Sequence, residues 1–386
     1  MELDRLLERA VELGASDIHL KVGRVPIVRL DGSLTPLEEW PTLGDTEVEN
    51  VLERVCASDP SRLDTFHATG DLDVAYKAER LPRFRVNGYR QRGATSFAFR
   101  MIPKHIPTFA ELCLPPGVQR LAEERQGLIL VTGPTGSGKS TTLAAMIDHI
   151  NRTRRSHIVT VEDPIEYMHS DQSCVVNQRE VGLDTESFKR ALRQVLRQDP
   201  DIILIGELRD TESAETALQA AESGHLVLST IHTIDAAETV SRMIEFFPGI
   251  KQAQVRSILA GVLRGVVSQQ LLPRAGGGRV AAVEIMVTNA RIAELILENH
   301  TDEITDAIEK GSFLQMQTSQ QALIELVLSG QAERDVAANV ARNRHDFLVA
   351  LDHALKRQAA ERAQADAATR PPPGLGLRVT ESMHRA

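Results

Sequence analysis

Residues 127–143, GLILVTGPTGSGKSTTL, combine an apolar run with a glycine-rich turn that ends in a lysine and a serine. The turn fits the pattern GxxxxGK[ST], and the flanking strand and helix favour a bound nucleotide over a ligand-free glycine-rich turn. Glycines let backbone N–H groups face a β-phosphate, and Lys139 would pair with the β- and γ-phosphates. The Ser140 hydroxyl would bind Mg²⁺. The predicted cradle is Gly133, Pro134, Thr135, Gly136, Ser137, Gly138, Lys139, Ser140 and Thr141.

Carboxylates follow two further apolar runs. IVTVEDPIEYMH carries Glu162, Asp163 and Glu166, and PDIILIGELRD ends in Gly206-Glu207. Ligands in doubly wound sheets bind at the carboxyl ends of the strands, so these side chains should lie near the phosphates. We interpret Glu207 as the residue that orients or deprotonates the attacking water. Glu162 or Asp163 would assist with Mg²⁺, whereas for Glu166 a role in capping a turn is an equal alternative.

Two histidines flank a third apolar run, SGHLVLSTIHT. His225 opens it and His232 follows it. A lone histidine is usually structural, but two beside a nucleotide site are candidates for sensing the γ-phosphate.

Four arginines lie within ten residues in RFRVNGYRQRG: Arg83, Arg85, Arg90 and Arg92. In a strand, Arg83 and Arg85 share a face because side chains alternate. A solvated basic face is the simpler interpretation. We favour the alternative, in which the cluster reaches a phosphate held by a neighbouring subunit, because a guanidinium fork matches phosphate geometry.

Composition narrows the function classes. The chain has 386 residues, is 42% hydrophobic and carries a net charge of −9. The charge argues against a nucleic-acid coat protein. A nucleic-acid translocase is a further alternative, for which DNA-stimulated ATPase activity is the test, and the acidic net charge predicts no such stimulation. Three well-separated cysteines, with no CxxC pair, predict neither a disulfide framework nor a zinc site. The amphipathic N-terminal segment does not resemble a signal peptide, and no apolar run is long enough for a membrane helix.

The order of predicted elements gives an α/β protein. The first hundred residues read as one α+β domain, with a hairpin turn at Asp31-Gly32. After a proline-rich linker, helices and strands alternate, which predicts a parallel sheet, and from about 289 the chain is mostly helical. The strands of the alternating part are 128–132, 157–162, 201–205 and 225–230, and its helices are 139–151, 185–198, 211–223 and 236–246. The domain boundaries are 1–100, 101–118 for the linker, 119–288, 289–358, and a disordered tail at 359–386.

Six ordered motifs resemble one family. They are GPTGSGKSTTLAAM, VEDPIEYMH, NQREVG, ALRQVLRQDPDIILIGELRD, AAESGHLVLSTIHT and GGGRVAAVEIM. Together they are similar to the secretion ATPase superfamily, specifically the type IV pilus retraction ATPases. The resemblance implies a PAS-like N-terminal domain, a RecA-like P-loop ATPase domain with a helical C-terminal extension, and a homo-hexameric ring with ATP between subunits. It assigns Glu162, Asp163 and Glu166 to an acidic box, Glu207 to the Walker B position, and His225 and His232 to a histidine box. The family's interdomain arginines fall in the stretch that holds Arg83 and Arg85.

The resemblance also implies a setting: a cytoplasmic motor at the inner-membrane face, ATP and Mg²⁺ as ligands, and a pilus platform protein as partner. Assembly and type II secretion ATPases usually carry a tetracysteine zinc loop, whereas this chain has VVSQQLLPRAGGGRVAAVEIM there, so we expect neither zinc nor an assembly role. A non-catalytic, ATP-binding ring subunit is a further alternative, disfavoured by Lys139, Ser140 and Glu207. The family's AIRNLI stretch is ARIAELI here, and the C-terminal part is closer to the accessory branch. A second retraction ATPase is therefore a candidate partner.

Overall fold

The computed structural model describes residues 2–30, 32–79 and 81–369. Its first part is a six-stranded antiparallel sheet in the order β3-β2-β1-β6-β5-β4. Asp31 of the predicted hairpin turn lies outside the described residues, but β2 and β3 on either side of it pair antiparallel as expected. The elements are α1 (Leu3–Glu12), β1 (Asp17–Lys21), β2 (Ile27–Leu30), β3 (Ser33–Pro36), α2 (Asp45–Cys56), α3 (Ser61–Thr69), β4 (Asp71–Tyr76), β5 (Phe84–Gln91) and β6 (Ala94–Met101).

The core of this part forms where one face of the sheet meets α1 and α2. Along β5, Phe84 and Val86 are fully buried, whereas Arg85 between them is half-buried on the opposite face. This is the strict alternation that a strand with one covered face requires. The sequence predicted a mixture of helices and strands here, but it gave no element for α3, whose pattern of buried residues is weak because Phe66 alone is buried.

The second part is a seven-stranded sheet in the order β13-β12-β7-β11-β10-β8-β9. All neighbours run parallel except the β12–β13 pair, which is an antiparallel hairpin at one edge. The elements are α4 (Pro116–Ala122), β7 (Gly127–Thr132), α5 (Lys139–Thr153), β8 (His157–Glu162), β9 (Val175–Glu180), α6 (Phe188–Val195), β10 (Ile202–Ile205), α7 (Thr211–Glu222), β11 (Leu226–Ile231), α8 (Ala236–Glu245), α9 (Gly249–Val262), β12 (Leu263–Pro273) and β13 (Arg279–Val287).

The four predicted strands of this sheet are its four central parallel strands. Every residue of β7, β10 and β11 is buried, as expected for strands covered by helices on both faces. The prediction missed the edge strand β9, whose sequence VVNQRE is mostly polar, and it gave no element for α9, β12 or β13. The predicted extended linker is also shorter than expected, because Pro116 occupies the first turn of α4, a position where proline is favourable.

The last part is helical, as predicted, with α10 (Ala290–Glu298), α11 (Ile304–Glu309), α12 (Ser319–Leu328), α13 (Arg334–Val340) and α14 (Arg344–Thr369). A separate hydrophobic cluster joins α12, α13 and α14 to β12 and β13. The predicted disordered tail begins too early, since α14 continues to Thr369 through the alanine-rich run RQAAERAQADAAT, which strongly favours helix. Residues 370–386 of that tail lie outside the described residues. Within the described ranges, no helix combines the length and apolarity needed to cross a membrane.

Candidate active site

The phosphate cradle lies where β7 ends and α5 begins. Helix α5 starts at Lys139, so its first N–H groups face the glycine-rich loop. Position 133 requires glycine for two reasons. Its φ is +140°, and a Cβ there would lie 2.2 Å from the backbone oxygen of Gln269. The loop borders a cavity of about 880 Å³. Its geometry is that of an anion site at a helix N-terminus.

The Lys139 side chain folds back onto the first residues of the glycine-rich loop. Its Nζ donates to the backbone oxygens of Gly133, at 2.9 Å, and Pro134, at 3.1 Å. Burial lowers the pKa of Lys139, while the carboxylates of Glu207 and Glu166 oppose that shift. A cation held mainly by neutral carbonyls is well prepared to exchange them for phosphate oxygens, since charge-assisted hydrogen bonds are the stronger ones.

His232 connects Lys139 to Glu207. Lys139 Nζ lies 3.3 Å from His232 Nδ1, and His232 Nε2 lies 3.2 Å from Glu207 Oε1. An ammonium can only donate, so Nδ1 accepts and the Nε2–H donates to the carboxylate, which assigns the neutral tautomer. The other Glu207 oxygen accepts from Arg209 Nε at 2.8 Å. The ends of β7, β10 and β11 thereby contribute a lysine, a carboxylate and an imidazole in series.

The carboxylates after β8 have different surroundings. Burial raises the pKa of Glu162, although hydrogen bonds from Thr160 Oγ1, at 2.7 Å, and Gln178 Nε2, at 3.1 Å, favour its ionised form. Asp163 is exposed and lies 3.7 Å from Arg209 Nη1. Both line the cavity beside the loop, as do Ser140 and Glu166.

These oxygens bear on where a metal ion could bind. Among the described residues, no group of three or more His, Cys, Asp or Glu side chains could hold a metal. The Ser140 hydroxyl, in the first turn of α5, and the carboxylate of Glu162, the last residue of β8, both line the cavity. That donor set fits Mg²⁺, which commonly uses one or two protein oxygens and takes its other ligands from phosphates and water.

His225 does not lie where the sequence suggested. It precedes β11, and its backbone oxygen accepts from the N–H of Gly127, the first residue of β7. Its ring nitrogen Nδ1 lies 2.9 Å from the backbone oxygen of Ala220. Strand β11 has six residues, so His225 and His232 are separated by about 20 Å. The interpretation of both histidines as neighbours of one phosphate site is therefore wrong within a single chain. His232 follows the carboxyl end of β11 and is at the site, whereas His225 precedes its amino end, at the opposite edge of the sheet, where the parallel strands begin.

The structure brings one of the two N-terminal arginines, Arg83, to the second sheet within the same chain. Arg83 Nη2 binds Glu180 Oε2 at 2.9 Å, and both side chains are largely buried, at 12% and 9% exposure. Arg85 instead pairs with Asp73 at 2.8 Å near the surface. Neither arginine contacts the glycine-rich loop of its own chain, and contact with a neighbouring subunit stays a prediction.

Sequence reasoning missed Arg100, which does line the cavity. It lies opposite Arg85 in the β5–β6 pairing, so the two side chains share a face of the N-terminal sheet. Its Nε binds Asp17 Oδ1 at 2.8 Å, while most of the side chain is exposed. The register of β5 against β6 was the signal that could have found it, because that register extends the face of Arg83 and Arg85 to Arg100.

Comparison with known proteins agrees with this geometry. Residues 111–337 match the family of type II/IV secretion system proteins. The chain belongs to this family. It is 43% identical to the type IV pilus retraction ATPase PilT of Pseudomonas aeruginosa over 347 residues, which cover 90% of this chain and 100% of that protein. It is 36% identical to the type IV pilus ATPase PilU of the same organism over 382 residues, 99% of this chain and 98% of PilU.

Solved structures give the same result for the fold. A crystal structure of the pilus retraction motor PilT with bound ADP superposes with a TM-score of 0.83 at 43% identity, covering 90% of this chain and 98% of that one. The Legionella pneumophila ATPase DotB follows with a TM-score of 0.73 at 29% identity, covering 88% and 94%. The α/β fold of this chain is thus that of PilT.

Proposed function

We propose that this chain is the subunit of a hexameric motor that hydrolyses ATP to power the retraction of type IV pili. The observation that carries the proposal is the Lys139–His232–Glu207 series beside an intact glycine-rich loop, in a chain similar to PilT over nine-tenths of its length. A scaffold subunit without catalysis would not need a carboxylate held at this position.

The side chains have separable tasks in the proposed reaction. Lys139 leaves the carbonyls of Gly133 and Pro134 for the phosphates, and the loop N–H groups hold the β-phosphate. That exchange leaves the Nδ1 acceptor of His232 open to a water, which can donate one proton to Nδ1 and the other to the γ-phosphate, while Nε2–H keeps its hydrogen bond to Glu207. Glu207 accepts the proton of the attacking water. Mg²⁺, bound through Ser140 and the phosphates, would neutralise charge on the β- and γ-oxygens.

The two sheets supply the mechanical part of the proposal. We assign residues 1–100 to a PAS-like domain and 119–288 to a RecA-like domain, joined by the segment 101–118. Arg100 and the glycine-rich loop line one cavity although they belong to different sheets, so nucleotide exchange would change the angle between the domains. In the proposed ring, that change of angle acts on an inner-membrane platform protein from the cytoplasmic face.

An accessory role is the second candidate, and one observation favours it. The match to PilU extends over 99% of the chain, whereas the match to PilT covers 90%. In this version, the ring works beside a second retraction ATPase.

The test is a gene deletion in a piliated host, complemented with the wild-type gene or with Glu207→Gln, with surface pili counted and their retraction followed by microscopy. Retraction predicts more pili that fail to retract, rescued by the wild type and not by Glu207→Gln. A bald cell would identify an assembly motor instead. Unchanged pili in the single deletion, combined with a stronger phenotype when a second retraction ATPase is deleted as well, would establish the accessory role.

A further inference from the structure

The wall behind the glycine-rich loop is β12, which pairs in parallel with β7. Opposite the last residue of β7, Thr132, lies Ser268, and their hydroxyls bond at 2.8 Å in the interior. The next residue, Gln269, therefore stands directly behind Gly133. A Cβ on Gly133 would clash with the backbone oxygen of Gln269, because the two atoms would be 2.2 Å apart.

The Gln269 side chain spans the loop and the helix. Its Nε2 donates to the backbone oxygen of Ser137 at 2.6 Å, and its Oε1 accepts from Thr142 Oγ1 at 2.8 Å. Gln269, Ser137 and Thr142 are each at most 3% exposed, so water cannot replace either bond. Ser137 precedes Gly138 and Lys139, and Thr142 lies in the first turn of α5.

The approach is too close for an ordinary side chain in the loop. A Cβ on Gly138 would lie 2.7 Å from Gln269 Nε2, and the φ of Gly138 is +90°. The amide thus lies against the residue whose backbone conformation turns the loop into α5. Because the loop N–H groups must point at phosphate, their direction depends on how this turn is held.

We propose that Gln269 is a positioning residue for nucleotide binding, whose carboxamide fixes the turn from Ser137 to Thr142 and so aims the loop N–H groups and Lys139 at the phosphates. The proposal rests on nucleotide binding by this loop and not on pilus retraction. It can therefore be tested on the purified chain, where its failure is separate from any failure of the motor function.

The first variant is Gln269→Leu, which keeps the size of the side chain and removes both hydrogen bonds. The dissociation constant for ADP, measured by calorimetric titration, should rise about 10- to 100-fold, the loss expected of one or two buried hydrogen bonds. The KM for ATP should rise with it while kcat changes little, because ground state and transition state use the same cradle. Gln270→Leu is the matched control: its neighbouring side chain makes no hydrogen bond within the described ranges, and its ADP affinity should equal that of the wild type.

The second pair of variants covers the case in which Gln269→Leu fails to fold. Thr142→Val removes the hydroxyl that Gln269 accepts from, and Thr142→Ser restores it. The proposal expects weaker ADP binding in the valine variant and recovery in the serine variant. If folded Gln269→Leu, or folded Thr142→Val, binds ADP as tightly as the wild type, the amide serves the fold alone and the proposal is overturned.

Discussion

At the carboxyl ends of the strands of the large sheet, His232 lies between Lys139 and Glu207. Its two ring nitrogens are 3.3 Å from Lys139 Nζ and 3.2 Å from Glu207 Oε1, and each of the three residues follows a different strand. At the contact between the two sheets, the buried ion pair Arg83–Glu180 joins residues 97 positions apart in the chain. The first region is partly open to a cavity and can exchange its contacts for a ligand. The second is closed, and each of its charges is paired with the other.

The contrast separates two uses of charge in one chain. Glu180 Oε2 also accepts from the backbone N–H of Ile165, in the turn that carries Asp163 and Glu166. The closed pair therefore fixes the acidic turn through Glu180, while the open series borders the cavity proposed to hold the nucleotide. Substitutions in the open region should change turnover, and substitutions in the closed region should change stability.

Removing the carboxylate of the open region should have the largest effect. Glu207→Gln should lower ATP turnover by about 10²–10⁴-fold, because the amide cannot accept a proton from water. ADP affinity should change little, since the amide oxygen can still accept from His232. Phosphate release and ADP titration measure the two quantities. Glu212→Gln, which alters a carboxylate on α7 that pairs with Lys189 and Arg193 of α6, is the control and should keep wild-type turnover. Comparable losses in both variants would contradict the assignment.

Breaking the closed pair should cost free energy of unfolding. Arg83→Ala leaves Glu180 buried without its cation, which typically costs about 3–5 kcal/mol. Arg85→Ala removes an exposed pair with Asp73 and should cost less than about 1 kcal/mol. Urea unfolding followed by the fluorescence of Trp40, the single tryptophan, compares them. Equal costs would mean that burial does not distinguish the two pairs.

Acidification should lower the free energy of unfolding through His169, which lies between β8 and β9. Burial lowers the pKa of His169 to about 4 from 6.5, with the Asp148 carboxylate opposing. Between these values the unfolded chain binds the proton and the folded chain does not, so this residue's contribution to stability falls as pH drops from about 6.5 to about 4. The loss should approach about 3 kcal/mol at 1.36 kcal/mol per unit. Urea unfolding should be measured across this pH range for the wild type and for His169→Asn. The free energy of unfolding should fall less steeply with decreasing pH in the variant, and an unchanged pH dependence would exclude His169 as its source.

The smallest expected effect distinguishes the two edges of the large sheet. His232→Ala removes the link between Lys139 and Glu207 and should reduce ATP turnover about tenfold, the effect of one modest hydrogen bond. His225→Ala, at the opposite edge, should leave both turnover and ADP affinity near wild type. Steady-state assays of the two purified variants make the comparison, and a larger loss for His225→Ala would place a second contribution to the reaction at that edge.

The sequence placed Lys139, Glu207 and His232 in one region because each lies beyond the end of a short apolar strand, Lys139 after the intervening glycine-rich loop. A parallel sheet places such strand ends together whatever the rest of the fold does. His225 was misplaced because the motif spans a whole strand, and the two ends of a strand lie at opposite edges. The Arg83–Glu180 pair and Arg100 depend on the register of β5 and β6 and on the contact between sheets, which local patterns do not encode. Gln269 was missed for the same reason, since β12 was not predicted.

The most direct measurement is a structure of the protein with Mg²⁺ and a non-hydrolysable ATP analogue. The account predicts that Lys139 leaves the carbonyls of Gly133 and Pro134 for the phosphates. Glu207 and His232 of the same chain should face the γ-phosphate. A γ-phosphate faced instead by the carboxylate and histidine of a neighbouring chain, with Lys139 still bound to its own loop, would contradict it.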